Sequence, residues 1–73
     1  MKAHESDQIR TLVDTDIGGR IIPAGATGHV LEVLEGPEGY VVEFVIREAT
    51  EAEDGDYEFT TLSPEQLEVV PQE

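Results

Sequence analysis

Residues 27–47 read TGHVLEVLEGPEGYVVEFVIR, and this stretch decides the fold class. Thr27 to Leu34 is a β-rich run. Tyr40 to Arg47 is a stronger one. In it Tyr40, Val42, Phe44 and Ile46 recur with a period of two, which predicts one shared face, and Val41, Glu43 and Val45 fall on the other. Between the runs, Gly36-Pro37 and Gly39 break any ladder and set a turn over 35–39. The prediction is an antiparallel hairpin.

On its N-terminal side lies DTDIGGRIIPAGATG, residues 14–28, with four glycines and one proline. That composition predicts a loop, not a helix. Ile17, Ile21 and Ile22 need cover, so the loop is expected to fold back over the core. Before it, QIRTLV (8–13) supplies a first strand through Ile9 and Leu12–Val13. MKAHESD (1–7) has no periodicity and is expected to be a flexible arm.

On the C-terminal side, EATEAEDGD (48–56) holds five acids and the turn signal Asp54-Gly55, which predicts a solvated loop. YEFTT (57–61) is a short alternating strand with Tyr57, Phe59 and Thr61 on one face. Ser63-Pro64 starts a helix with room for one turn, of 3₁₀ type. LEVV (67–70) is a last strand, ended by Pro71. The expectation is one all-β domain over 8–71, a small five-stranded barrel with a short 3₁₀ turn before the last strand. Closure would remove exposed edges.

The order of these pieces resembles a known pattern. Gly25 to Val30 has the form Gly-x-x-Gly-x-Val, Val42-Glu43-Phe44 follows in the strong strand, and Thr61-Leu62 leads to Leu67 in the last segment. Over Ile9 to Val70 the chain resembles an uncharacterised bacterial family of small SH3-like (KOW-like) barrel domains of unknown function. The resemblance implies an SH3-like barrel. It brings no catalytic residues, and related barrels suggest an accessory-subunit role by analogy alone.

Seventeen Asp and Glu residues face four Lys and Arg, a net charge of -13. Such a surface repels phosphate backbones and anionic membranes, so neither direct nucleic-acid binding nor membrane binding is expected. It suits a basic protein surface. There is no cysteine, which excludes disulfides and thiolate zinc sites and fits a reducing compartment. No apolar run approaches a membrane span, and Met1 to Arg10 lacks the apolar stretch of a signal peptide. A cytoplasmic location is expected.

No residue pattern points to catalysis. Gly25 and Gly28 serve a tight turn with positive φ and a close strand approach, since Gly-Ala-Thr-Gly lacks the lysine and helix of a P-loop. His29 is expected to be exposed, and His4 in the arm offers no fixed metal partner. Glu43 is expected to pair across strands with Arg47 or Arg10. The acidic loop has only fragments of calcium-loop spacing. No cofactor and no metal are expected. Without tryptophan, and with few aromatics, neither proline-rich peptides nor single-stranded nucleic acid are natural ligands.

Val41 and Val45 make the strong strand apolar on both faces. The second face must be covered either by the chain's own loop or arm, or by a partner. The expected partner-binding residues are therefore Val41, Val45, Glu48, Glu51, Glu53, Asp54 and Asp56. The expected function is a non-catalytic interaction module: a small accessory subunit, regulator or antitoxin-like partner. Its partner would be a basic protein, a larger enzyme subunit or a second copy of the chain. The alternative is an acidic nucleic-acid mimic that inhibits a nucleic-acid-binding protein.

Overall fold

The computed structural model describes residues 2–71. Seven strands follow one another: β1 (Gln8–Thr11), β2 (Thr15–Ile17), β3 (Arg20–Ile22), β4 (Thr27–Leu34), β5 (Gly39–Arg47), β6 (Asp56–Leu62) and β7 (Leu67–Val69). A 3₁₀ turn, Pro64–Gln66, precedes β7. The chain is all-β, and the turn lies where Ser63-Pro64 predicts it. The Gln66 side chain accepts the Ser63 backbone N–H at 2.8 Å and so caps the turn's start.

The expected closed five-stranded barrel is corrected to two open sheets. One has the order β6-β5-β4-β1-β7, with antiparallel neighbours, and the other is the β2–β3 hairpin. The edges β6 and β7 do not pair with each other. β7 has only three residues, and all of them pair with β1. The hairpin instead reaches β6 through side chains: Arg20 Nη1 lies 3.0 Å from Asp56 and Nε lies 3.5 Å from Glu58.

The region 14–28 is likewise more ordered than a loop. Gly18 and Gly19 have φ of 59° and 94°, the two positive values that a tight hairpin turn demands. Asp16 accepts the Gly19 N–H at 2.8 Å. Ile22 is buried and Ile17 packs on the core, while Ile21 is exposed. The first strand also stops earlier than expected. It ends at Thr11, and Leu12 and Val13 are exposed.

The core joins Ile9, Ile22, Val30, Tyr40, Val42, Phe44, Leu62 and Leu67. Two bulges decide which residues reach it. Val30 opposes Val42, but Glu32 opposes Val41 and Val33 opposes Tyr40, so Leu31 is an extra residue in β4. Strict alternation from Val30 would turn Glu32 inward. The bulge keeps Glu32 out and delivers Val33 to the core. In β5, Val45 opposes Tyr57 and Arg47 opposes Asp56, which leaves Ile46 unpaired and 44% exposed. Ile46 therefore does not share the buried face of Tyr40, Val42 and Phe44.

The N-terminal arm, expected to be flexible, is docked over residues 2–7. Ala3 is fully buried. Ser6 N–H donates to the Val30 carbonyl at 2.8 Å, and Val30 N–H donates to Asp7 at 2.9 Å. The Tyr40 hydroxyl accepts backbone N–H groups from Lys2 (2.9 Å) and Ala3 (3.3 Å). A buried tyrosine needs a partner for its hydroxyl, and the arm supplies it. Every buried side-chain nitrogen and oxygen among the described residues has a hydrogen-bond partner.

Candidate interaction surface

Strand β6 places its side chains against expectation from hydrophobicity. Glu58 opposes buried Phe44 and Thr60 opposes buried Val42, so both lie on the core side. Tyr57 and Phe59 fall on the other face, 38% and 53% exposed. Burial alone would favour the reverse. Glu58 is tolerated on the core side because Arg20 of the hairpin meets it there.

Cross-strand register then assembles the outer face. Tyr57 stands opposite Val45, Phe59 opposite Glu43, and Thr61 opposite Val41. Glu43 in turn faces His29, which faces Gln8. One row across four strands thus reads Gln8, His29, Glu43, Phe59. His29 is exposed, as expected. Glu43 differs from expectation: its cross-strand neighbours are His29 and Phe59. The arginines have gone elsewhere. Arg10 bonds Glu68 at 2.9 Å, and Arg47 donates to the Asp54 carbonyl at 3.5 Å.

Of the residues expected to bind a partner, Val45 is exposed on this face and Val41 is half-buried. Glu48, Glu51, Glu53 and Asp54 are exposed in the loop joining β5 to β6, beyond the Val45–Tyr57 pair. Thr50 shapes that loop, accepting the N–H groups of Ala52 and Glu53 at 3.2 and 3.0 Å. Asp56 stands apart from these acids. It is the first residue of β6 and is held by Arg20. Tyr57 and Phe59 belong to the surface as well. Their period of two was visible in the sequence, but its phase was not, because either face of YEFTT could have been the buried one.

A second feature lies at the other end of β5 and β6. The turn 35–38 and the stretch from Thr61 to Gln66 bound an open groove of about 450 Å³. Its lining includes Leu34, Pro37 and Leu62 together with Glu35 and Glu38. The Tyr40 hydroxyl donates to the Glu38 carboxylate, and this bond, with the Lys2 backbone N–H, holds that carboxyl below its ordinary pKa. Lys2 Nζ donates to the Pro64 carbonyl at 2.7 Å.

Among the described residues no group of three or more His, Asp or Glu side chains is placed to hold a metal ion. No helix among them is long and apolar enough to cross a membrane. Comparison with protein-family models, curated proteins and solved structures gives no significant match to this chain.

Proposed function

We propose that this chain is a non-catalytic interaction module that docks on a basic protein through the outer face of its large sheet. The observation that carries the reading is the orientation of β6. Its two aromatic residues, Tyr57 and Phe59, lie beside Val45 on a solvated face, while a glutamate and a threonine take the core side. Exposed aromatic and aliphatic groups side by side are what a docking surface uses for affinity. The carboxylates of Glu43 and the 48–54 loop give that surface its sign. A net charge of -13 favours encounter with a positive partner.

The finer fold reading belongs to the same proposal. A strand, a hairpin, three further strands, a single 3₁₀ turn and a short last strand follow the element order of an SH3-like domain. That order supports an SH3-like ancestry with an incompletely closed sheet. The absence of cysteine fits a reducing cytoplasm.

The test is a pull-down from native lysate with tagged chain as bait, at low and high salt, comparing wild type with a Val45→Ser/Phe59→Ser double variant. A stoichiometric partner that survives high salt and is lost with the double variant supports docking through the outer face. A partner retained by the folded double variant overturns it. If that partner binds nucleic acid and is released by modest salt, the acidic surface is acting as a phosphate mimic instead.

A further inference from the structure

We infer that the groove between the 35–38 turn and the Thr61–Gln66 stretch binds an arginine or lysine side chain, presented by an extended basic segment of a partner protein. This site is distinct from the Val45, Tyr57 and Phe59 surface, and the inference stands whether or not that surface docks.

The groove's lining carries both kinds of group that such a side chain needs. Leu34, Pro37 and Leu62 give an apolar lining for a methylene stem. Glu35 and Glu38 stand beside it for the charged head. The Tyr40 hydroxyl and the Lys2 amide both bond the Glu38 carboxylate, so its position is set before any ligand arrives. Preset geometry lowers the ordering cost of binding. The chain already shows a lysine using this edge. Lys2 reaches both walls, with its backbone N–H on Glu38 at 3.4 Å and its ammonium on the Pro64 carbonyl at 2.7 Å.

Charge decides against a second copy as the occupant. All four basic residues of the chain are engaged among the described residues: Arg10 with Glu68, Arg20 with Asp56 and Glu58, Arg47 with the Asp54 carbonyl, and Lys2 with Pro64. A second copy would bring another net charge of -13 against the groove's own carboxylates. That net repulsion favours a different, basic chain as the source of the cation.

The probe is the peptide Ac-Ala-Leu-Arg-Leu-Ala-NH2, titrated into the ¹⁵N-labelled full chain, with Glu and norleucine in place of Arg as controls. The expected result is saturable amide shifts at Glu35, Gly36, Glu38, Gly39, Ser63, Glu65 and Gln66 with the Arg peptide. The Glu peptide should give none, and the norleucine peptide should bind several-fold more weakly. Glu35→Gln should weaken binding about two- to fivefold, the range of a partly exposed ion pair. Glu51→Gln, in the acidic loop, should leave it unchanged.

Gly39→Ala supplies an independent check on shape. Gly39 has no left-handed φ, and an added Cβ would sit 3.5–3.9 Å from Thr61, the Leu62 carbonyl and Leu34, an ordinary contact. This variant should fold and bind the peptide more weakly. Failure to saturate by about 10 mM peptide overturns the inference. So do shifts spread evenly over the acidic loop, or affinity unmoved by both Glu35→Gln and Gly39→Ala. A Phe59→Ser variant must leave the peptide affinity intact, which separates this site from the outer face.

Discussion

The hydroxyl of Tyr40 donates to the carboxylate of Glu38, two residues earlier, and the same oxygen accepts the amides of Lys2 and Ala3. One fully buried ring thereby links the 35–39 turn to the N-terminal arm. Tyr40→Phe keeps the ring and deletes the link. It leaves the Ala3 amide buried without its acceptor, at a cost of about 1–3 kcal/mol. The check is a chemical-denaturation midpoint together with amide exchange, which should speed up at Ala3.

Glu38 gives a pH signature of the same link. Its folded pKa lies below that of an ordinary glutamate, mainly through the Tyr40 bond and then the Lys2 amide. A depressed carboxyl pKa means that the folded state binds its proton less readily than the unfolded state. The contribution is therefore fully present above the unfolded value and is lost as pH falls through the lower folded one. A ¹³C titration of the Glu38 carboxyl should show the depressed midpoint, and in Tyr40→Phe the midpoint should move up. An unchanged midpoint would remove Tyr40 as its cause.

Two glycines of the Gly-x-x-Gly-x-Val segment act for different reasons. Gly25 has φ of 90° and open space around it. Gly28 has no such φ, but a Cβ there would meet Val42 Cγ1 at 2.7 Å and the Glu43 carbonyl at 2.8 Å. Gly25→Ala should cost about 1–2 kcal/mol through backbone strain alone. Gly28→Ala should cost about 1–3 kcal/mol through overpacking. Phe44 Cδ1 stands at 3.0 Å as well, and Val42→Ala removes one of these three obstructions, so the Gly28→Ala/Val42→Ala pair should be less than additive. Denaturation of the four variants checks this, and strict additivity would refute the steric account.

These glycines also mark how far the sequence could be read. Composition and alternation reached the all-β class, the β4–β5 hairpin, the 3₁₀ turn at Pro64 and the exposure of His29. They did not reach the bulges at Leu31 and Ile46, because an extra unpaired residue is set by the partner strand's register and leaves no mark on its own strand's periodicity. The hairpin at Gly18-Gly19 was legible in principle as two glycines between short β-branched runs. The docking of the arm was not, since it depends on a buried hydroxyl 38 residues away. On the candidate surface, the placement of Val45 on the face opposite Val42 and Phe44 was legible, whereas the separation of Asp56 from the loop acids was not, because its partner Arg20 arrives from the hairpin.

The Ile46 bulge makes its own prediction. Ile46 and Phe44 are two residues apart in a strand and look equivalent by alternation. Ile46 is the unpaired, exposed residue, whereas Phe44 is 2% exposed. Ile46→Glu should shift stability by no more than about 0.5 kcal/mol. Phe44→Glu would bury an unpaired carboxylate and should leave the chain unfolded. Circular dichroism and thermal melts separate the two, and an unfolded Ile46→Glu would show that the register continues without the bulge.

Salt acts on this chain in two opposing ways. It weakens the three ion-paired contacts of Arg10 and Arg20, each partly exposed and worth about 0–1 kcal/mol. It also screens the mutual repulsion of an excess of thirteen negative charges. At a separation equal to the radius of gyration, 12.5 Å, two like charges repel by about 0.3 kcal/mol in water. That is comparable with one such ion pair, but the excess charges form many repelling pairs, whereas the arginine–carboxylate contacts among the described residues number three. At about 0.1 M salt the screening length is about 10 Å, short enough to remove most of this repulsion. Repulsion should win, and the melting temperature should rise between about 10 mM and 500 mM NaCl. Arg20→Gln removes an attractive contact with Asp56 and Glu58 and adds to the negative excess, so its melt should rise more steeply with salt than that of wild type. A wild-type melting temperature that falls with salt would mean that the few ion pairs outweigh the many repulsions, and that the negative surface is no burden on the fold.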